Sequence, residues 1–266
     1  MTIKVAIAGA RGRMGTTAIQ AIEEANDAIV VAALDYKYDG LHVHNSTVND
    51  QRHGIPIYTS LAELAEHHAP DVLLDVTDPD AVFVNVQAAI ELGIYPVVGT
   101  SGLTRSQLDE IAVLVESHQI GCIVAPNFSL GAVLMMKFSA QAARYLGDVE
   151  IIELHHDRKL DAPSGTAVKT AEMIQQYRPA HIQGHPEEQV HIDGARGADV
   201  DGMKIHSVRL PGLLAHQQVL LGGEGELLTI RHDSFDRKSF MPGIMLAIRE
   251  VMGRKELVYG LEHIID

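Results

Sequence analysis

The stretch Glu153-Leu154-His155-His156-Asp157-Arg158-Lys159-Leu160-Asp161-Ala162-Pro163-Ser164-Gly165-Thr166 gathers the groups best suited to move a proton and hold an acid. The two histidines close a strand-like run, and neighbours on a strand point to opposite faces. One of them can therefore face a cleft as a proton donor, because imidazole titrates nearer neutrality than other side chains. The same geometry prevents the pair from easily sharing a metal ion. No His-Glu-x-x-His occurs, so no metal site is expected. Lys159 adds a fixed positive charge in the following loop. Pro163-Ser164-Gly165-Thr166 then opens a helix, whose first N–H groups lack partners within the helix and can hold a carboxylate. Gly165 allows close approach, and the Thr166 hydroxyl adds a hydrogen bond. The candidate catalytic residues are His155 and Lys159. The candidate substrate-binding residues are His156, Ser164, Gly165 and Thr166. The same types would equally serve a solvated histidine pair and an ordinary serine cap.

A second constellation lies at the start of the chain. Gly9-Ala10-Arg11-Gly12-Arg13-Met14-Gly15 directly follows a buried-strand pattern and opens a helix. Glycines there let the backbone turn sharply and approach a pyrophosphate seated on the helix N-terminus. The spacing is Gly-x-x-Gly-x-x-Gly, one residue off the common dinucleotide fingerprint. Asp35 ends the next strand pattern, 20 residues after Gly15, where an acid takes the adenosine ribose hydroxyls. Lys37 could reach a 2′-phosphate and offset the repulsion from Asp35. Three more loops fall at strand ends: Asp75 to Pro79, Gly99 to Gly102, and Ala125 to Ser129. The candidate cofactor-binding residues are Gly9, Ala10, Arg11, Gly12, Arg13, Met14, Asp35, Lys37, Gly99, Thr100, Ser101, Ala125, Pro126, Asn127 and Phe128. Ser101 is not in a Gly-x-Ser-x-Gly elbow, which disfavours a serine hydrolase.

The elements that must position these groups change character midway. Strand patterns at Ile3 to Ala8, Ile29 to Leu34, Val72 to Val76, Pro96 to Val98 and Cys122 to Ala125 alternate with helical ones. Ser60 with Glu63 and Thr104 with Gln107 read as capping boxes. Asp78 reads as the cap of a helix beginning at Pro79. The stretch Tyr36 to Gly54, with His42, His44 and Asn45, reads as an exposed polar loop. This alternation implies an α/β, Rossmann-type, doubly wound parallel sheet. After an apolar helix from Ser129 to Leu146 come longer strand patterns at Val149 to His156, Met203 to Leu210, Ala215 to Leu221 and Glu226 to Asp233. The Gly222-Gly223-Glu224-Gly225 turn makes the last two a hairpin. The expectation is a smaller α+β half with a mixed or antiparallel sheet. Arg178 to Asp201 reads as a long loop. A sheet backed by helices on one face leaves the other to be covered. Leu210, Leu214, Val219 and Leu221 are the candidates for burial between subunits.

Composition narrows the class. Lys and Arg number 21 against 35 Asp and Glu, a net charge of −14 that repels polyphosphates at long range. No nucleic-acid or membrane partner is expected. A single cysteine excludes an intrachain disulfide and a cysteine-based metal centre, and Cys122 in its apolar run reads as a core thiol. Met1 leads straight into a strand pattern without a signal-peptide pattern, and no apolar stretch spans a bilayer, so a cytoplasmic location is expected.

On these motifs the whole chain resembles the dihydrodipicolinate reductase family of bacterial lysine and diaminopimelate biosynthesis. Glu153 to Thr166 resembles the family's signature segment. Gly9 to Gly15, Asp75 to Pro79, Gly99 to Gly102 and Ala125 to Gly131 resemble its cofactor loops in order, and Ile205 to Gln217 and Arg231 to Gly243 resemble further family segments. Asp35 stands where many relatives have Glu, and Ser101 where Thr is common; neither removes a needed group. The resemblance implies a dinucleotide-binding domain, 1–126 completed by 237–266, and a substrate-binding and tetramerisation domain, 127–236, with hinges near Asn127 and Arg237. It implies NADH- and/or NADPH-dependent reduction of 4-hydroxy-tetrahydrodipicolinate, a small dicarboxylate, to tetrahydrodipicolinate by a homotetramer. His155 and Lys159 would handle the proton, His156, Gly165 and Thr166 would hold the substrate, and the two domains are expected to close on it. The alternatives are another two-domain NAD(P)-dependent dehydrogenase, which has no need of the His155 to Thr166 segment, and a noncatalytic NAD(P)-sensing protein, which would tolerate loss of His155 and Lys159.

Overall fold

The computed structural model describes residues 2–43 and 54–265. The chain divides into two compact units, Met1–Ser129 with Phe240–Asp266, and Leu130–Ser239. In chain order the first unit contains β1 (Ile3–Ala8), α1 (Arg13–Glu23), β2 (Ala28–Leu34), β3 (His42–Val43), β4 (Ile55–Tyr58), α2 (Leu61–His68), β5 (Val72–Asp75), α3 (Val82–Glu91), β6 (Tyr95–Val98), α4 (Arg105–His118) and β7 (Cys122–Val124). The second contains α5 (Leu130–Ala142), β8 (Asp148–His155), α6 (Gly165–Gln175), β9 (Ala198–Val200), β10 (Met203–Arg209), β11 (Ala215–Gly223) and β12 (Glu226–Ser234). The chain then returns to the first unit with α7 (Met241–Val251) and β13 (Leu257–Tyr259).

The first unit is built on one sheet in the order β13-β7-β6-β5-β1-β2-β4-β3, parallel except for β3. Its central strands are apolar on both faces because helices cover both. Val5 to Ala8 and Val72 to Leu74 are fully buried. Cys122 is buried in the same way, and burial pushes its thiol pKa far up, as befits an inert core group. The strand order reverses at β1, between β2 and β5. A ligand crevice is expected there, outside the carboxyl ends of the strands. Gly9 makes the turn out of β1 at φ +81°, and a Cβ on it would stand 2.6 Å from the Val76 carbonyl oxygen. Only glycine fits both conditions.

In the second unit the sheet order is β12-β11-β8-β10-β9, with β8 and β10 parallel and the other pairs antiparallel. Helices α5 and α6 pack on one face, where Ala140, Ala167, Ala171 and Ile174 meet Val149, Ile151, Met203, Ile205, Val219 and Leu221. Val219 and Leu221 therefore belong to this unit's own core and are not free for burial between subunits. Alternation puts Ile152, Leu154, Val208 and Leu220, all half-buried, on the opposite face. Arg178 pins the base of the following long loop by donating to the carbonyls of Gly147, Asp201 and His181.

Several boundaries differ from the sequence reading for local reasons. Asp78 does not cap α3. Its carboxylate accepts from the amides of Asp80 and Ala81, closing a separate turn, and the helix begins at Val82. Thr104 and Gln107 form the complete reciprocal capping box, whereas at Ser60 the bond present is the one from the Glu63 amide to the serine hydroxyl. Strand β3, containing His42, lies in the stretch read as a loop; His44 and Asn45 lie outside the described residues. Strand β9 lies within the Arg178 to Asp201 stretch read as a loop, and strands β4 and β13 were not anticipated. The last two have four and three residues, and β4 contains Pro56, so neither shows a clean period.

Candidate active site

At the end of β8 the site is organised by Glu153, a carboxylate with no exposed surface. It points to the helix-covered face, as Val149 and Ile151 do. Arg209, beside it on β10, donates from both terminal nitrogens, one to each oxygen, at 2.8 Å. The Ser164 amide donates to Oε1 at 3.1 Å, and His155 Nδ1 lies 2.5 Å from Oε2. An ionised carboxylate only accepts, so His155 Nδ1 carries the hydrogen and Nε2 is the nitrogen left for other chemistry. Burial alone would raise the Glu153 carboxyl, but hydrogen bonds from His155, Arg209 and Ser207 outweigh it and hold its pKa at about 2.

The same carboxylate fixes the neighbouring anion site. Ser164 is the N-cap of α6, its hydroxyl accepting from the Ala167 amide at 3.2 Å. Gly165 lies at the open side of this first turn, where an added Cβ would meet no atom within 4 Å. The first turn of α6 contains no acidic residue, so the positive end of its dipole is not opposed there, as suits an anion. His156 follows the strand; its Nδ1 is buried and has no hydrogen-bond partner among the described residues. Lys159 pairs with Asp161 at 2.7 Å and lowers the pKa of that carboxyl. Arg209 also donates to the Asp161 carbonyl at 2.7 Å, so the guanidinium that holds Glu153 also ties down the Lys159 loop.

In the first unit, α1 begins at Gly12 without a side-chain cap and without an acid in its first turn. A Cβ on Gly15 would lie 2.3 Å from the Gly9 carbonyl oxygen, so the helix start sits tightly on the loop. Such a cradle of uncapped N–H groups fits a dinucleotide pyrophosphate. Asp35 accepts from the Lys37 amide at 3.1 Å and from Arg11 at 3.4 Å. The cation beside Asp35 is thus Arg11, with its guanidinium 3.5 Å from the centre of the Tyr38 ring. The Lys37 ammonium lies over Tyr36 instead. Met14, Val76, Thr77, Pro79, Gly99, Thr100, Ser101 and Phe128 line one cavity of about 210 Å³. Phe128 is set against Gly99, where a Cβ would lie 2.8 Å from the ring, and Gly243 of α7 packs on the Phe128 backbone.

The structure thus joins His155 to Ser164 through Glu153, and Met14 to Gly99, Thr100, Ser101 and Phe128 around one cavity. The sequence reading quoted Glu153 and Asp75 within its motifs but gave no role to them or to Arg209; Asp75 accepts from the Thr77 and Thr100 hydroxyls at the cavity. Glu153 was legible in principle, since a charged residue at the third inward position of an apolar strand needs a partner. Arg209 is 56 residues away, and nothing in the sequence pairs the two.

Comparison with known proteins agrees along the whole chain. The family model for the dihydrodipicolinate reductase N-terminus matches residues 3–128, and that for its C-terminus matches residues 131–265. The chain is 55% identical over 265 residues to a protein from Lysinibacillus sphaericus (strain C3-41), with all of both chains covered. It is 53% identical over 268 residues to one from Geobacillus kaustophilus (strain HTA426), again with all of both covered. Both carry the name 4-hydroxy-tetrahydrodipicolinate reductase. Among solved structures, the dipicolinate-bound dihydrodipicolinate reductase from Paenisporosarcina sp. TG-14 superposes with a TM-score of 0.90 at 52% identity, over all of both chains. A probable dehydrogenase from Thermotoga maritima shares the fold alone, with a TM-score of 0.66 at 14% identity over 98% of this chain and 92% of the other.

The Glu153 cluster generates a pH prediction. Its folded pKa of about 2 lies below the ordinary 4.5, so its stabilisation is fully present above pH 4.5 and is lost as pH falls toward 2. Glu153→Gln should lower the unfolding free energy at neutral pH by about 3 kcal/mol, because Arg209 and His155 lose a buried partner. Urea titrations of both proteins should show the deficit shrinking between pH 4.5 and 2. A constant deficit across that window would contradict an ionised Glu153.

Proposed function

The chain belongs to the dihydrodipicolinate reductase family, and on that premise we propose how its residues carry out the family's reaction. It is an NAD(P)H-dependent oxidoreductase that reduces 4-hydroxy-tetrahydrodipicolinate to tetrahydrodipicolinate, with loss of water, in lysine and diaminopimelate biosynthesis. The observation that carries the site assignment is the Glu153 hub, which joins a histidine with Nε2 left over to the Ser164-capped start of α6.

In this reading the first unit is the dinucleotide-binding domain. Gly9, Ala10, Arg11, Gly12, Arg13 and Met14 hold the pyrophosphate, Asp35 the adenosine ribose, and Gly99, Thr100, Ser101, Ala125, Pro126, Asn127 and Phe128 the nicotinamide half. A bound reduced nicotinamide supplies the hydride. The second unit holds the dicarboxylate, with one carboxylate on Ser164, Gly165 and Thr166 at the start of α6 and His156 beside it. The dipicolinate-bound relative supports a dicarboxylate of this shape. Hydride addition to an unsaturated imine leaves negative charge on the ring, which a proton must quench. His155 delivers that proton from Nε2, while Glu153 fixes the ring through Nδ1. Lys159 stabilises the developing charge once the substrate replaces Asp161 as its partner.

The finer features rest on the same footing. Asp35 repels a 2′-phosphate while Arg11, with Lys37 nearby, offsets that repulsion, so we propose use of both NADH and NADPH. We propose a homotetramer because both helices of the second unit cover one face of its sheet, while Ile152, Leu154, Val208 and Leu220 are only half-buried on the other. No helix among the described residues is long and apolar enough to cross a membrane. A biosynthetic enzyme that consumes NAD(P)H belongs in the cytoplasm, and we place it there.

A coupled assay with freshly made substrate, followed by NAD(P)H absorbance, tests the reading as a whole. His155→Gln and Lys159→Met should each lower kcat by roughly 10²–10⁴-fold with NADH affinity unchanged. His156→Gln should chiefly raise KM. Near-normal turnover in Lys159→Met would remove its assigned role. Steady-state constants for the two cofactors should differ by less than roughly a hundredfold, or ~2.7 kcal/mol. Light scattering at micromolar concentration should give about four times the 28.9 kDa chain mass; the monomer mass would refute the tetramer.

A further inference from the structure

The first unit contains a wholly buried carboxylate that the reaction does not use. Asp75 ends β5 with no exposed surface. Its Oδ1 accepts from the Thr77 hydroxyl at 2.7 Å, the Thr100 hydroxyl at 2.7 Å and the Thr77 amide at 3.1 Å. Its Oδ2 accepts from the Asn85 side-chain amide at 2.8 Å. All of these donors are neutral, and they surround a group that has about four lone-pair sites and no hydrogen to give.

A threonine hydroxyl has a single hydrogen. Thr77 and Thr100 have each committed theirs to Asp75, and the Asp78 carbonyl, 3.5 Å from the Thr77 hydroxyl, is too far to compete. What remains on each oxygen is lone pairs alone. Both threonines line the cavity of the first unit, whose other walls include the apolar Met14, Val76, Pro79 and Phe128. Elsewhere a hydroxyl can rotate to suit donor or acceptor. Here rotation would strip a buried carboxylate of a hydrogen bond, which is costly.

Building on the dinucleotide reading, we infer that Asp75 sets the hydrogen-bond polarity of the nicotinamide pocket: it makes Thr77 and Thr100 acceptors only, so that they select a ring bearing a donor, the carboxamide NH₂. Asp75 is a positioning residue that acts through the two hydroxyls. A methyl ketone in place of the amide offers no donor, and a carboxylate there sets acceptor against acceptor.

Calorimetric titration of the full chain with four dinucleotides tests this. NAD⁺ and its thionicotinamide analogue, which both keep the NH₂, should bind alike. The 3-acetylpyridine analogue should bind roughly tenfold more weakly, the loss expected when one hydrogen bond disappears. The nicotinic acid analogue should bind roughly a hundredfold more weakly. The Thr77→Val/Thr100→Val pair should lose affinity for the two amide-bearing ligands and not for the acetylpyridine analogue, closing the gap. Thr77→Ser/Thr100→Ser, which keeps the hydroxyls, should keep the gap. Asp75→Ala releases both hydroxyl protons and should also narrow it; because removing a buried hub can prevent folding, the threonine pair decides. An acetylpyridine analogue that binds wild type as tightly as NAD⁺, or a valine pair that weakens all four ligands equally, overturns the inference and leaves the reaction standing. Binding of none of the four overturns the dinucleotide reading and the inference together.

Discussion

The second unit depends on the burial of one charge, the Glu153 carboxylate. A buried carboxylate without partners is strongly unfavourable, and breaking such a group's pairing typically costs about 3–5 kcal/mol. The chain meets that cost by bringing four separate pieces to one point: β8 through Glu153 and His155, β10 through Arg209, the loop through the Asp161 carbonyl, and α6 through the Ser164 amide. None of these contacts is independent. If Arg209 moves away, the carboxylate, the histidine ring and the start of α6 lose their common reference. A hydrophobic residue at position 153 could pack at least as stably. It could not hold an imidazole in one tautomer beside the start of α6.

Asp75 solves the same problem in the first unit by other means. Glu153 is held by a guanidinium and an imidazole, whereas Asp75 is held by two hydroxyls and two amide groups, all neutral. Neutral donors satisfy the carboxylate without placing positive charge in the pocket, where, in the proposed reading, a cation would alter the electronics of the nicotinamide ring. Asp75 also ties the loop after β5 to the loop after β6, which converge on the lining of one cavity. Each unit thus carries one buried acid at the carboxyl end of a strand, and in each the acid controls which hydrogens the neighbouring side chains can give.

The sequence exposed the parts that follow from local pattern. Buried parallel strands read as apolar runs, Thr104 and Gln107 as a reciprocal cap, and Gly9 to Gly15 as a turn onto a helix, because each depends on residues a few positions apart. Those motifs, with the His155 to Thr166 segment, were enough to indicate the family. What the sequence hid is long-range or very short. Arg209 meets Glu153 across 56 positions, Thr100 meets Asp75 across 25, and β13 is a three-residue strand that joins the first sheet only because β7 is there to receive it. The cation beside Asp35 illustrates the limit well. Proximity in sequence favours Lys37, but the fold brings Arg11 onto Tyr38 and Asp35, while the Lys37 chain lies along its neighbour's ring.

The charge balance fits this division of labour. A chain with net charge −14 must bind a dianionic substrate and an anionic cofactor against its own long-range field. At physiological ionic strength that field decays over about 8 Å, so short-range donors decide the outcome. Helices α1 and α6 both begin without an acidic residue in the first turn, whereas α2 has Glu63 there. Helices α3, α4, α5 and α7 also lack an acid there, so what distinguishes α1 and α6 is what precedes them, the glycine loop and the Ser164 cap. Backbone N–H groups and a helix dipole give local attraction that a lysine-rich surface would otherwise have to provide, and they do so without drawing polyanions such as nucleic acid to the whole molecule. In the proposed reading, selectivity for small acids therefore comes from the loops that lead into these two helices and not from a basic surface.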